Sequence, residues 1–212
     1  MKKSTCFFAV VLVCGLAFIG CASKPKVKDI SGPTEILEHK GTAWGIPQPE
    51  WVGEVQGTSN QKTLQKALSI NKHIWIVPKS GKNLDFIKTW ADQVDARAEI
   101  AASIKQEIAD FVGATMTGDA DDVEEKIERY SARAEMVTLV GLNKETDWWS
   151  KTRTRLDAKS DYTEQYNYFV VYSLDEDLYQ KQIKNAFQDL NDDTVAQLIE
   201  HLMNYTMVRE ND

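Results

Sequence analysis

The chemistry-bearing residues of this 212-residue chain are sparse and scattered. Three histidines, His39, His73 and His201, lie far apart in sequence, and none has the His-x-x-x-His spacing that puts two imidazoles on one helix face for a metal. Acids are more abundant and clustered, with Asp119, Asp121, Asp122, Glu124 and Glu125 in one group and Asp175, Glu176 and Asp177 in another. A calcium loop needs six to eight oxygens around a tight turn, and the first group lacks the glycine and the closing glutamate of that loop. Acids of this kind are accounted for by helix starts, where they meet the positive end of the helix dipole. Glycosidase-like carboxylate pairs are defined by a separation in space, so the sequence names none. Ser/His/Asp catalysis, a phosphate-cradling glycine loop and a dinucleotide fingerprint are absent as sequence signals. We therefore expect no metal and no cofactor.

The most unusual local feature is Trp148-Trp149, followed by Lys151-Thr152-Arg153-Thr154-Arg155. Adjacent side chains point in different directions on a strand or a helix, so one ring is expected in the core while the other reaches the surface. Large aromatics beside arginines have the composition of binding hot spots, and Trp148, Trp149, Arg153 and Arg155 are the candidate partner-binding residues. Two rings both packed on a sheet would be the plainer outcome.

Of three cysteines, Cys6 and Cys14 fall in an uncharged apolar run that follows Lys2 and Lys3 and ends at Phe18-Ile19-Gly20-Cys21. A positive start and an apolar stretch of this length have the form of a secretory signal. The end of the run resembles the lipobox of bacterial lipoproteins, with Phe18 standing where leucine is usual. The resemblance implies cleavage after Gly20 and a diacylglyceryl group on Cys21, the lipid attachment site. At ~0.8 kcal/mol per buried CH₂, each long chain contributes on the order of 10 kcal/mol, so two or three chains anchor durably. Ala22, rather than an aspartate, follows the cysteine, which by the enteric sorting pattern favours the outer membrane. Once residues 1–20 are gone the formal net charge falls from −7 to −9, since Lys2 and Lys3 leave with no acid. Such an acidic chain is a poor partner for nucleic acid, whose binding relies on cations at phosphates. A single remaining cysteine also excludes an internal disulfide.

The elements that must position these residues read as follows. Residues 21–45 carry Lys24, Pro25, Lys26, Lys28, Gly32, Pro33, Gly41 and Gly45 without an apolar period, which predicts a tether. Residues 46–212 are expected to form one domain, entered by an extended segment around Pro47 and Pro49. Residues 61–70 predict a short helix, and His73 to Val77 a strand ended by Pro78. Ile87, Ala91, Val94, Ala98, Ala101, Ile104, Ile108 and Phe111 predict one long helix stopped at Gly113. A second stripe runs Val123, Ile127, Tyr130, Ala134, Val137. Glu164 to Ser173 is the clearest strand, with Tyr166, Tyr168, Val170 and Tyr172 on one face and Asn167, Phe169 and Val171 on the other. Asp175 is placed to cap a helix carrying Leu178, Ile183, Phe187 and Leu190, and a last helix carries Val195, Leu198, Ile199, Leu202 and Met203. The fold class is α+β, a small β-sheet packed by long amphipathic helices.

The strand and glycine turn at 75–81, the helix Trp90-Ala91-Asp92-Gln93-Val94-Asp95-Ala96-Arg97-Ala98-Glu99-Ile100-Ala101 and the Tyr-rich strand Asn167-Tyr168-Phe169-Val170-Val171-Tyr172 together resemble a family of small bacterial envelope lipoproteins. The family is typified by the twenty-kilodalton antigenic lipoprotein of Helicobacter and has flagellar and outer-membrane-associated relatives. Its motifs are packing motifs, and the resemblance implies no catalytic residues. It implies a non-enzymatic, lipid-anchored envelope protein whose partners are the membrane, through its lipid, and an envelope protein or cell-wall material. The competing expectation is a hydrolase or ligand-binding lipoprotein whose carboxylates are gathered by the fold.

Overall fold

The structure, a computed structural model, describes residues 34–57, 60–115, 119–155, 161–190 and 193–209. The signal run, Cys21 and the first part of the tether lie outside the described residues.

The fold is α+β: a four-stranded antiparallel sheet in the order β1-β3-β4-β2, with helices on both faces. The strands are β1 (Thr34–His39), β2 (His73–Gly81), β3 (Asn143–Thr154) and β4 (Thr163–Leu174). Residues 34–39 were expected within the tether and instead form the edge strand β1, registered against β3 from Thr34↔Thr154 to His39↔Ser150. The tether reading therefore fails from Thr34 onward, because six residues of low hydrophobicity still complete a sheet when β3 offers them a row of backbone partners.

One sheet face is covered by α1 (Glu50–Val55) and α2 (Gln61–Leu68), where Trp51, Val52 and Leu64 meet Ile74, Ile76, Trp148, Phe169 and Val171. The helix α1 starts where an extended segment was expected, since Pro49 takes the extended cap conformation and the chain turns helical at Glu50. The larger core lies on the opposite face, where Trp75, Val77, Tyr168, Val170 and Tyr172 pack under α3 (Leu84–Gln93), α4 (Ala96–Thr115), α5 (Ala120–Ala134), α6 (Glu176–Phe187) and α7 (Asp193–Asn204). The two-sided burial of β4 matches the expected split of its tyrosines from Phe169 and Val171.

The long helix is broken in two. Val94 is extended, and the Asp95 carboxylate accepts from the backbone N–H groups of Arg97 (3.1 Å) and Ala98 (3.3 Å), starting α4 afresh. The restart leaves Ala98 exposed and buries Ala96, Ile100, Ser103 and Val112, while Ile104 and Ile108 are buried as expected and Gly113 lies inside the helix. Strand β2 likewise runs through Pro78. Ile76 donates its N–H to Thr206 (2.8 Å) and accepts from Val208 (2.9 Å), so its backbone groups face away from β4. Pro78, two residues on, faces the same way, where no ladder hydrogen bond is lost. The segment 206–208 thereby covers the β2 edge. On the other side, Gly141 adopts φ +94° in the turn leading to β3, with Leu174 and Leu178 close to where a Cβ would stand.

Candidate functional site

The four residues singled out by sequence fall on β3 and its end, and the pleat of the sheet sorts them. Directly paired residues share a face, so Trp148 lies with Phe169, Ser150 with Asn167 and Thr152 with Gln165 on the α1 side. Trp149 pairs with Tyr168, Lys151 with Tyr166 and Arg153 with Glu164 on the α3 side.

Trp148 is only 8% exposed, with the His39 imidazole stacked on it at 5.5 Å. It is a core residue, and its place among the candidate contact residues is withdrawn. Trp149 is half-buried and surrounded by cations and rings: Tyr166 meets it edge-on at 5.9 Å, and the Lys88 ammonium of α3 sits 5.5 Å from its centroid. The pattern repeats along the hairpin, with Lys151 over Tyr166 (5.7 Å) and both Arg153 and Arg155 over Tyr162 (5.4 and 5.1 Å). Lys79 over Trp90 (5.6 Å) extends it onto α3. Cations over aromatic faces at these separations attract the rings' negative faces. Glu164 joins the cluster from β4, accepting from Arg153 Nε at 2.9 Å and facing Lys151 at 3.0 Å. Those donors, Arg153 foremost, hold its carboxyl below the usual range, and Glu164 in turn raises the Lys151 ammonium.

The three histidines remain separate. His39 stacks on Trp148, whereas His73 is buried between Trp75 and Tyr179 with ring centroids 4.3 Å from each. Burial pushes the His73 imidazole down to about 3, so it is neutral in the folded protein at physiological pH. The Gln61 amide lies 3.0 Å from its Nε2 and ties α2 to the Ile74 and Tyr205 carbonyls.

His201 belongs to a second cluster at the α4–α7 contact. Its Nε2 is 2.7 Å from Glu107, whose other oxygen accepts from Arg209 at 2.8 Å, and Arg209 also donates to Asp110 at 2.5 Å. Here the fold does gather two carboxylates, but one guanidinium bridges both, and its hydrogen bond draws the Asp110 carboxyl down. That is a clamp on residues 206–209 rather than an acid-base pair held apart by environment. Among the described residues, no group of three or more His, Cys, Asp or Glu side chains is arranged to hold a metal. The acidic runs stand at helix starts, with Asp121 and Asp122 in the first turn of α5 and Asp175 capping α6 by accepting from Leu178 N–H at 2.9 Å.

The α1 side of the hairpin carries a feature that no charged motif marks in the sequence. Thr34, Gln56, Thr152, Thr154, Gln165, Asn167 and Phe169 line a cleft of about 470 Å³ with no ionisable side chain among them. Asn167 is its fixed centre: it donates to Thr152 Oγ1 (2.9 Å) and accepts at Oδ1 from Ser80 (3.2 Å) and Gln165 (3.0 Å). The signal was present as alternation, since every second residue from Trp148 to Thr154 is uncharged while Asp147, Lys151 and Arg153 alternate with them.

No family profile, curated protein or solved structure matches this chain. What the protein does must be read from its own side chains.

Proposed function

We propose that the chain is a lipid-anchored protein of the bacterial envelope that works by binding, not by catalysis, and that it belongs to the small envelope lipoproteins its alanine-rich helix and Tyr-rich strand resemble. Cys21 carries the lipid, and Ala22 after it favours the outer membrane. The observation that carries the binding role is the aromatic-cationic surface centred on Trp149, with Tyr162, Tyr166, Lys88, Lys151, Arg153 and Arg155 around it. In a chain with a formal net charge of −7, a local concentration of cations over half-buried rings is a patch with contact chemistry rather than a random sample of the surface. Phe86, exposed to 67% and four residues before Trp90, lies on the same side of α3 as that ring and adds apolar area. Confinement by the lipid raises the effective concentration of envelope neighbours, so a modest patch holds a lasting association with a protein assembly or cell-wall material.

The test is in-cell crosslinking of the full chain. Trp149→Ala, with or without Arg153→Ala, is expected to lower the yield of partner crosslinks several-fold while melting close to the parent, because Trp149 stands at the margin of the core. Lys62→Ala, on exposed α2 surface, is the control and keeps the parental yield. A Trp149→Ala protein that retains every crosslink would remove the patch from the account.

A further inference from the structure

We propose that the neutral cleft on the α1 side of the β3–β4 hairpin is a binding site for an uncharged glycan chain. The inference goes beyond the contact surface around Trp149, which lies on the other face of the same hairpin, and depends on neither that surface nor the lipid.

The first argument is the chemistry of the lining. Threonine hydroxyls and the amides of Gln56, Gln165 and Asn167 both donate and accept hydrogen bonds, as sugar hydroxyls do. A charged ligand placed there would lose hydration with no opposite charge in the lining to replace it. Phe169, 7% exposed, adds an apolar floor, and the other six lining residues are polar, a more hydrophilic make-up than the usual small-molecule pocket and one suited to a polyhydroxyl ligand. The volume of about 470 Å³ falls within the roughly 300–1,000 Å³ of such clefts.

The second argument is that the polarity exceeds what the fold needs. Farther along the same sheet face, Ile74, Ile76, Phe169 and Val171 form an ordinary apolar core under α1 and α2. The rows next to it hold Ser150 at 0% exposure and Thr152 at 4%, and the Ser150 hydroxyl finds no hydrogen-bond partner among the described residues. Burying a hydroxyl costs stability unless something answers it, so an apolar residue at Ser150 would suit the sheet better, whereas the Thr152 hydroxyl is answered by Asn167. Asn167, held by three side chains, is pre-set rather than free to turn, which spares a ligand part of the ordering cost.

The experiment titrates the full chain with two neutral probes, chitotetraose and maltotetraose, and with a sulfated heparin tetrasaccharide, following amide shifts by NMR and heat by calorimetry. Saturable binding of at least one neutral probe is expected, with shifts at Gln165 and Asn167. Gln165→Ala is expected to weaken it about tenfold, the equivalent of one good hydrogen bond. Thr154→Val, nearly the same shape without the hydroxyl, gives a second reading should Gln165→Ala lower the melting temperature. Lys181→Ala, on the exposed side of α6, leaves the affinity unchanged. The proposal is overturned if neither neutral probe saturates, if both cleft variants bind like the parent, or if the heparin fragment displaces the neutral probe from these residues.

Discussion

His73 carries a pH signature in the acidic range. Its imidazole is 1% exposed, packed against Trp75 and Tyr179, and burial lowers its pKa from 6.5 to about 3. In the unfolded chain it takes up a proton near pH 6.5, while the folded protein resists until about pH 3. Between those values the unfolded state binds more protons, so stability rises with pH across the window and is lost on acidification. The expected slope is on the order of 1 kcal/mol per pH unit at most for one such group. Urea melts of the parent between about pH 5 and 6.5 should show it, and His73→Phe should flatten it, because the lowered carboxylates such as Glu145 and Asp110 titrate below that interval. A parental slope that survives in His73→Phe would move the effect to other groups. At the same scale the two adjacent tryptophans part company: Trp148 is a core ring and Trp149 a marginal one. The dipeptide told that the rings diverge, but which of them faced outward depended on the register with Phe169 and Tyr168, a pairing set by residues twenty positions away.

Among the elements, α4 shows how a single cap redirects a face. The apolar spacing from Ile87 to Phe111 is real, yet the chain breaks at Val94 and Asp95 starts the next helix, which turns Ala98 outward and Ile100 inward while Ile104 and Ile108 keep their expected burial. Consequently Ile100→Arg is expected to abolish cooperative folding or cost several kcal/mol, since it places an unpaired charge at a fully buried site. Ala98→Arg should stay within about 0.5 kcal/mol of the parent in a thermal melt, as an exposed helix position does. Equal destabilisation by the two would return Ala98 to the core. The strand β4 was legible because both of its faces are apolar or aromatic, giving an unbroken β-rich run. Strand β3 was not, because Asn143 to Asp147 and the alternating Lys151 and Arg153 look like a solvated loop until β1 and β4 supply backbone partners on both sides. β1 was hidden for the same reason and is shorter still.

For the whole molecule, two surfaces of one hairpin carry different chemistry: aromatic and cationic on the α3 side, neutral and polar on the α1 side. The basic members of the first were visible as Arg153 and Arg155 beside a tryptophan pair, but its other parts come from α3, β2 and β4 and are joined only by folding. The cleft was invisible because threonine, glutamine and asparagine at scattered positions form no motif. β1 starts at Thr34, and were residues 22–33 a flexible tether, an anchor at Cys21 would have a reach of about 20 Å, at 5–6 Å × √n. The domain would then stay within a molecule's breadth of the membrane, which is where the proposed binding role operates. The anchoring part of the proposal requires a lipid on Cys21, and metabolic labelling with an alkyne fatty acid tests it directly. The parent is expected to take up label and fractionate with membranes, and Cys21→Ser to be unlabelled and to run as the longer, uncleaved form. A Cys21→Ser protein labelled as strongly as the parent, or a parent that takes up no label at all, would contradict the account.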